Sequence, residues 1–165
     1  MFFAFNAKDV FRIALEIEEN GQAFYEKAQA RIDDEEVKEI FRNLAVEETS
    51  HKKRFQELMA KLPAEAASPT VQDPNDELAG YIKMMADEHV FRTREGVDAY
   101  VSRIRSAEDA LKMAIQFEKD SVLFFLTMQD ATEEGKGRDY IHLLVKEEQE
   151  HLRRLSLQLK RKTAH

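Results

Sequence analysis

Apolar residues recur along this chain three or four positions apart, the spacing of one helix face, in four long stretches. The first carries Phe11, Ala14, Leu15, Tyr25, Ala28 and Ile32, and Asn6 opens it with Asp9 three residues on as its capping partner. Asp33, Asp34, Glu35 and Glu36 close that stretch and put acids at the positive start of a second. The second carries Val37, Phe41, Leu44, Phe55, Leu58 and Leu62, and Pro63 stops it. A third is predicted from Ser106, with Asp109 in the capping position, to Thr132; its stripe is Leu111, Ala114, Ile115, Val122 and Phe125. Gly135, Lys136 and Gly137 mark a turn. The fourth runs from Arg138 to Lys162 through Ile141, Leu144, Leu155 and Leu159, with Lys160, Arg161 and Lys162 at its negative end.

Residues 63–105 join the second stretch to the third. They begin loop-like (Pro63, Ser68, Pro69, Pro74), turn helical from Asp76 to Phe91, and again from Val97 to Arg103. A connection of that length is expected to pack along the bundle or against a second subunit. The pattern therefore predicts an all-α fold: a four-helix bundle in one domain, 1–165. It consists of a helical hairpin over 6–62, a long helical crossover over 63–105 and a second hairpin over 106–163.

The hairpins repeat each other without a gap. Ala14/Ala114, Glu18/Glu118, Phe24/Phe124, Gln29/Gln129, Leu44/Leu144, Glu47/Glu147, Glu48/Glu148, His51/His151 and Arg54/Arg154 all match at one constant offset. Two pseudo-symmetric hairpins related by a pseudo-twofold axis follow. Composition agrees with long amphipathic helices: of 165 residues, 35% are charged, 43% are apolar, and only 5 are Gly and 3 Pro. A formal net charge of −7 argues against a nucleic-acid partner. No stretch approaches the ~20 apolar residues of a membrane helix, and Met1–Phe5 is too short for a signal peptide. A cytoplasmic location is expected. The absence of cysteine means that any redox metal is held by oxygen and nitrogen.

Glu48-Thr49-Ser50-His51 and Glu148-Gln149-Glu150-His151 are two copies of Glu-x-x-His, and Glu18 and Glu118 precede them at equal distance. One Glu from each of two helices and a Glu-x-x-His from each of the other two is the ligand arrangement of a dimetal site in a bundle. All four glutamates fall within apolar stripes, so all four are expected to point inward. Buried carboxylates repel one another and are costly unless neutralised; two divalent cations supply the matching charge. Mixed carboxylate and imidazole ligands suit iron or manganese and accept zinc. A lone Glu-x-x-His would more often be a solvated face; the repeat and the shared apolar face set this one apart. His89, His142 and His165 lack the pattern and are expected to be structural or exposed. Glu47, Glu147 and Glu150 are rotated away from the ligand face, which makes them solvated or supports behind the ligands. Tyr25 and Phe125, seven residues after Glu18 and Glu118, are expected to pack in the core, with the Tyr25 hydroxyl also able to hydrogen-bond a ligand. Phe2, Phe3 and Phe5 are expected to cap a core or an interface.

The run from Ala14 to Tyr25, with Glu18 and Gly21, resembles the first helix of the rubrerythrin branch of the ferritin-like superfamily. Glu47-Glu48-Thr49-Ser50-His51 and Glu147-Glu148-Gln149-Glu150-His151 resemble its second and fourth. The resemblance implies a ferritin-like bundle and a non-haem di-iron site with Glu18, Glu48, His51, Glu118, Glu148 and His151 as ligands. It also implies peroxide reduction or iron oxidation, often in a dimer. Two features differ. The family's cysteine-rich rubredoxin domain has no counterpart here, and Ser121 stands where the family commonly has an extra glutamate one turn after the third-helix ligand.

The leading expectation is a di-iron oxidoreductase of peroxidase or ferroxidase type. It would carry two Fe ions (Mn or Zn as substitutes), reduce hydrogen peroxide or oxygen while cycling Fe(II)/Fe(III), and draw on an external electron-donor protein as a homodimer. Alternatives are an iron-binding ferroxidase linked to iron storage, a di-iron hydroxylase of an organic substrate, and a structural bundle holding zinc.

Overall fold

In a computed structural model of the protein, described for residues 7–61, 77–90, 92–132 and 134–164, the predicted helices are all present. They are α1 (Ala7–Ala28), α2 (Glu35–Ala60), α3 (Glu77–Glu88), α4 (Arg94–Arg103), α5 (Ala107–Asp130) and α6 (Lys136–Thr163), with a 3₁₀ turn at Gln29–Arg31. Helix α1 packs chiefly on α2, and α5 on α6, giving the two hairpins. Helices α2 and α6 run antiparallel, since Glu47 meets His151, His51 meets Glu147 and Asp34 meets Lys162.

Local chemistry sets the boundaries. The Asp34 carboxylate accepts from Val37 N at 3.1 Å and starts α2, while its other oxygen takes Lys162 Nζ at 2.6 Å from the end of α6. Ser106 Oγ accepts from Asp109 N, and Asp109 accepts from Arg105 N, both at 3.1 Å, a reciprocal cap for α5. The first helix stops earlier than its stripe suggests. The chain tightens into the 3₁₀ turn and then extends at Ile32 (φ −117°, ψ 134°), which is buried as an anchor between the helices. Helix α5 ends at Asp130, short of Thr132. Helix α6 already includes Lys136 and Gly137, so the turn rests on Gly135 at φ 143°. Helix α4 begins at Arg94, ahead of Val97, because the Thr93 hydroxyl caps it by accepting from Gly96 N at 3.1 Å. The expectations for Asn6, Phe2, Phe3, Phe5, Leu62, Phe91, His165 and the start of the crossover fall outside the described residues.

The crossover helices lie along their own bundle, α3 on α5 and α4 on α1. Arg92 pairs with Glu16, Lys27 with Asp98, and Val90 N donates to Asp120 at 3.1 Å. Buried aromatic rings close the core above and below its middle. Phe24, Tyr25, Phe41 and Phe117 pack edge to face or tilted at one level. At the other level Phe11 and the half-buried Tyr140 meet the Phe55 ring edge to face, and Phe125 stacks on it. Gly21 explains one contact in the first group: a Cβ there would sit 2.4 Å from Phe117 Cζ, so only glycine lets that ring lie against α1. Among the described residues no helix is long and apolar enough to cross a membrane.

Candidate metal centre

Midway along the bundle the two aromatic layers leave a polar gap, and the sequence fills it with one acid from each of α1 and α5 and a Glu–His pair from each of α2 and α6. Glu18, Glu48 and Glu148 are 1% exposed, Glu118 and His151 0%, and His51 2%. Their donor atoms form two groups, each within 4.8 Å: Glu18, Glu48, His51 and Glu148 in one, Glu48, Glu118, Glu148 and His151 in the other. Glu48 and Glu148 belong to both. The structure thus brings together all six residues that the sequence singles out, as two overlapping sets with two shared carboxylates.

Both imidazoles turn Nδ1 inward. His51 Nδ1 lies 2.9 Å from Glu148, 3.4 Å from Glu18 and 3.5 Å from Glu48. His151 Nδ1 lies 3.2 Å from Glu148, 3.5 Å from Glu118 and 3.7 Å from Glu48. The rings are nearly parallel, 5.5 Å apart. Each Nε2 faces outward onto a carboxylate of the opposite hairpin, His51 on Glu147 and His151 on Glu47, both at 2.8 Å. Such a bond fixes the ring and raises the basicity of the inward nitrogen. Glu47 and Glu147 therefore support the ligands, one of the two roles their rotation allowed, because that rotation aims them across the α2–α6 seam. Arg154 and Arg54 stand behind these two glutamates, at 2.8 Å and 3.6 Å. Both arginines also repeat between the hairpins, and that repetition is the signal from which their role could have been read. Glu150 faces solvent and pairs with Arg153.

The Tyr25 hydroxyl donates to Glu118 Oε1 from the buried aromatic layer, so it has both expected properties, core packing and contact with a site residue. At the other level the Tyr140 hydroxyl is buried without a hydrogen-bond partner, and burial pushes it up to about 12. No repeat or motif pointed to Tyr140, whose counterpart is Ile40. His89 is buried and bonds Ser121 Oγ at 3.1 Å, with its edge against Phe117. Burial and then Arg92 hold it down at about 3, so it is neutral and structural. His142 lies on the surface beside Gln129.

The charges of the cluster do not balance by themselves. Burial, then Glu148 and Glu18, raise Glu48 well above the usual carboxylate range. Burial raises Glu118 to about 8. Burial would also raise Glu148, yet His151 and His51 hold it low. Burial would lower both histidines, but Glu18 and Glu148 raise His51, and Glu148 and Glu118 raise His151. Without a cation the site must take up protons to stay buried. Both oxygens of Glu18, Glu48 and Glu148, one of Glu118 and both Nδ1 atoms are buried with no hydrogen-bond partner. Orphaned donors of this kind, converging from four helices, fit a pair of divalent cations.

Fold and cluster together define a ferritin-like helical bundle with a buried, two-part Glu/His centre. The rubrerythrin family model matches residues 9–159, and the chain belongs to that family. The fold is also that of a candidate ferritin-like diiron-carboxylate protein of Thermotoga maritima, which is 21% identical over 99% of both chains with a TM-score of 0.74. No curated protein matches significantly.

Proposed function

We propose that the protein is a non-haem di-iron oxidoreductase that reduces hydrogen peroxide, or oxygen, with electrons from an external donor. The observation that carries this reading is the sharing of Glu48 and Glu148 between two inward-facing donor sets. Glu18 and His51 would hold one iron, Glu118 and His151 the other, with Glu48 and Glu148 between them. Iron held there would supply two electrons, which with two protons would convert peroxide to two waters.

The remaining work falls to side chains of this chain. Glu47 and Glu147 hold the imidazoles, and Tyr25 holds a proton at Glu118 Oε1. The aromatic layers keep bulk water from the carboxylates. All four acids are at most 1% exposed, which favours an oxidant of two non-hydrogen atoms over a bulky organic substrate.

Anaerobic loading with Fe(II) followed by stopped-flow mixing tests the reading. Oxidation faster with peroxide than with oxygen, and repeated turnover when a reductant is supplied, is the expected result. Oxidation by oxygen alone with mineral accumulation would move the assignment to iron storage. No reaction, with zinc bound, would overturn it in favour of a structural site.

A further inference from the structure

The pseudo-twofold axis relates the ligands, and the residues around them break that symmetry. On the Glu118–His151 side, the Glu47 carboxylate that holds His151 is itself gripped by both nitrogens of Arg154, at 2.8 and 3.0 Å. This fork-on-carboxylate pair fixes Glu47 in one orientation. On the same side Tyr25 donates to Glu118 Oε1 and leaves Oε2 free to face a cation.

The Glu18–His51 side lacks both supports. Arg54 stands 3.6 Å from Glu147, beyond a hydrogen bond, and leans over the Tyr140 ring, 5.9 Å from its centre. Phe125 occupies the position that corresponds to Tyr25, and it has no hydroxyl to give. Neither oxygen of Glu18 is anchored by a donor from outside the cluster.

We propose that the two halves hold metal with unequal strength, the Glu118–His151 half tightly and the Glu18–His51 half exchangeably, because Arg154, Glu47 and Tyr25 fix only the first. The inference rests on the dimetal reading above. Its physical basis is preorganisation: a ligand already held in its bound orientation loses less freedom when the ion arrives. Loss of such a supporting partner typically lowers metal affinity by about 10–100-fold. Arg154, Glu47 and Tyr25 are thus positioning residues for one ion, and the other ion is the one free to leave.

Repulsion between two neighbouring cations makes the loss of either one easier than the loss of both, so two-step release alone decides nothing. The identity of the histidine released first does. The full-length chain, loaded with Zn(II) and labelled with ¹⁵N in histidine, is challenged with increasing chelator while ring-nitrogen shifts are followed by NMR. His51 is expected to lose its metal-bound shift first, with His151 holding to chelator levels about tenfold higher. Arg154→Ala and Tyr25→Phe should each narrow that gap, and Arg54→Ala should leave it in place. Arg154 and Arg54 lie at the rim of the bundle, and a circular-dichroism melt checks each fold. Simultaneous release in the unaltered chain, release from His151 first, or a gap indifferent to both Arg154→Ala and Tyr25→Phe would overturn the proposal while leaving the dimetal reading intact. Failure of either histidine to bind Zn(II) would remove both.

Discussion

Replacing Glu118 with Gln should stabilise the metal-free protein and destabilise the metal-loaded one. Gln keeps the shape of the side chain and the oxygen that accepts from Tyr25, and it imitates the protonated acid. In the folded chain burial lifts Glu118 from its ordinary 4.5 to about 8, so near pH 7 it must hold a proton that the unfolded chain has released. Between those two values the native state binds more protons than the unfolded state, and stability falls as pH rises. From 4.5 to pH 7 the loss is about 2.5 units at about 1.4 kcal/mol each, or roughly 3 kcal/mol. Gln avoids that loss, which corresponds to a rise in Tm of roughly 10 °C for a chain of this size. With metal present the order reverses. A cation at about 1,000 times its Kd contributes roughly 4.1 kcal/mol, more than the proton penalty, and the variant forfeits nearly all of that at the Glu118 half. Thermal melts of both proteins between pH 5 and 9, with chelator and with Zn(II), provide the measurement. The gap between the metal-free proteins should widen with pH up to about 8 and then level off. A variant less stable than the parent in chelator, or a gap that does not change with pH, would refute the account of a cluster that is short of positive charge.

Other positions give independent checks. Gly21→Ala drives a methyl to 2.4 Å from Phe117 Cζ, and Phe117 is itself hemmed by Tyr25 and His89, so a loss of about 1–3 kcal/mol is expected in urea unfolding. Adding Phe117→Leu should recover part of it; a neutral or stabilising Gly21→Ala would show that the ring has room to move. His89→Gln addresses acid stability. His89 is held down at about 3, so between its ordinary 6.5 and that value the unfolded chain binds the extra proton, and stability falls as pH falls by up to about 1.4 kcal/mol per unit. The variant should lose that part of the acid slope in unfolding measured from pH 6.5 down to 4, and an unchanged slope would place the acid sensitivity elsewhere.

The sequence alone determined the helices, their pairing into two hairpins and the six residues that meet at the centre. Periodicity and a long-range repeat are written locally, in the spacing of apolar faces, and a helix carries that spacing directly into space. Glu18, Glu48, His51, Glu118, Glu148 and His151 were legible because each sits on a face that must be buried and yet cannot be buried alone. Ends of elements were less legible: the break at Ala28 depends on Ile32 being drawn into the core, and the early start of α4 on a single hydroxyl at Thr93.

Only the tertiary structure decided what surrounds the six. Rotation about α2 told that Glu47 leaves the ligand face, but the antiparallel approach of α6 turned that departure into a bond with His151. The same approach gave Arg154 a full grip on Glu47 and left Arg54 short of Glu147, though the sequence repeats both pairs alike. The hydroxyl of Tyr25 found Glu118, on a helix 93 positions away in the chain. Contacts between helices depend on differences of a few tenths of an ångström in crossing distance, set by every ring in the layers between them, and no local pattern of residues encodes that sum.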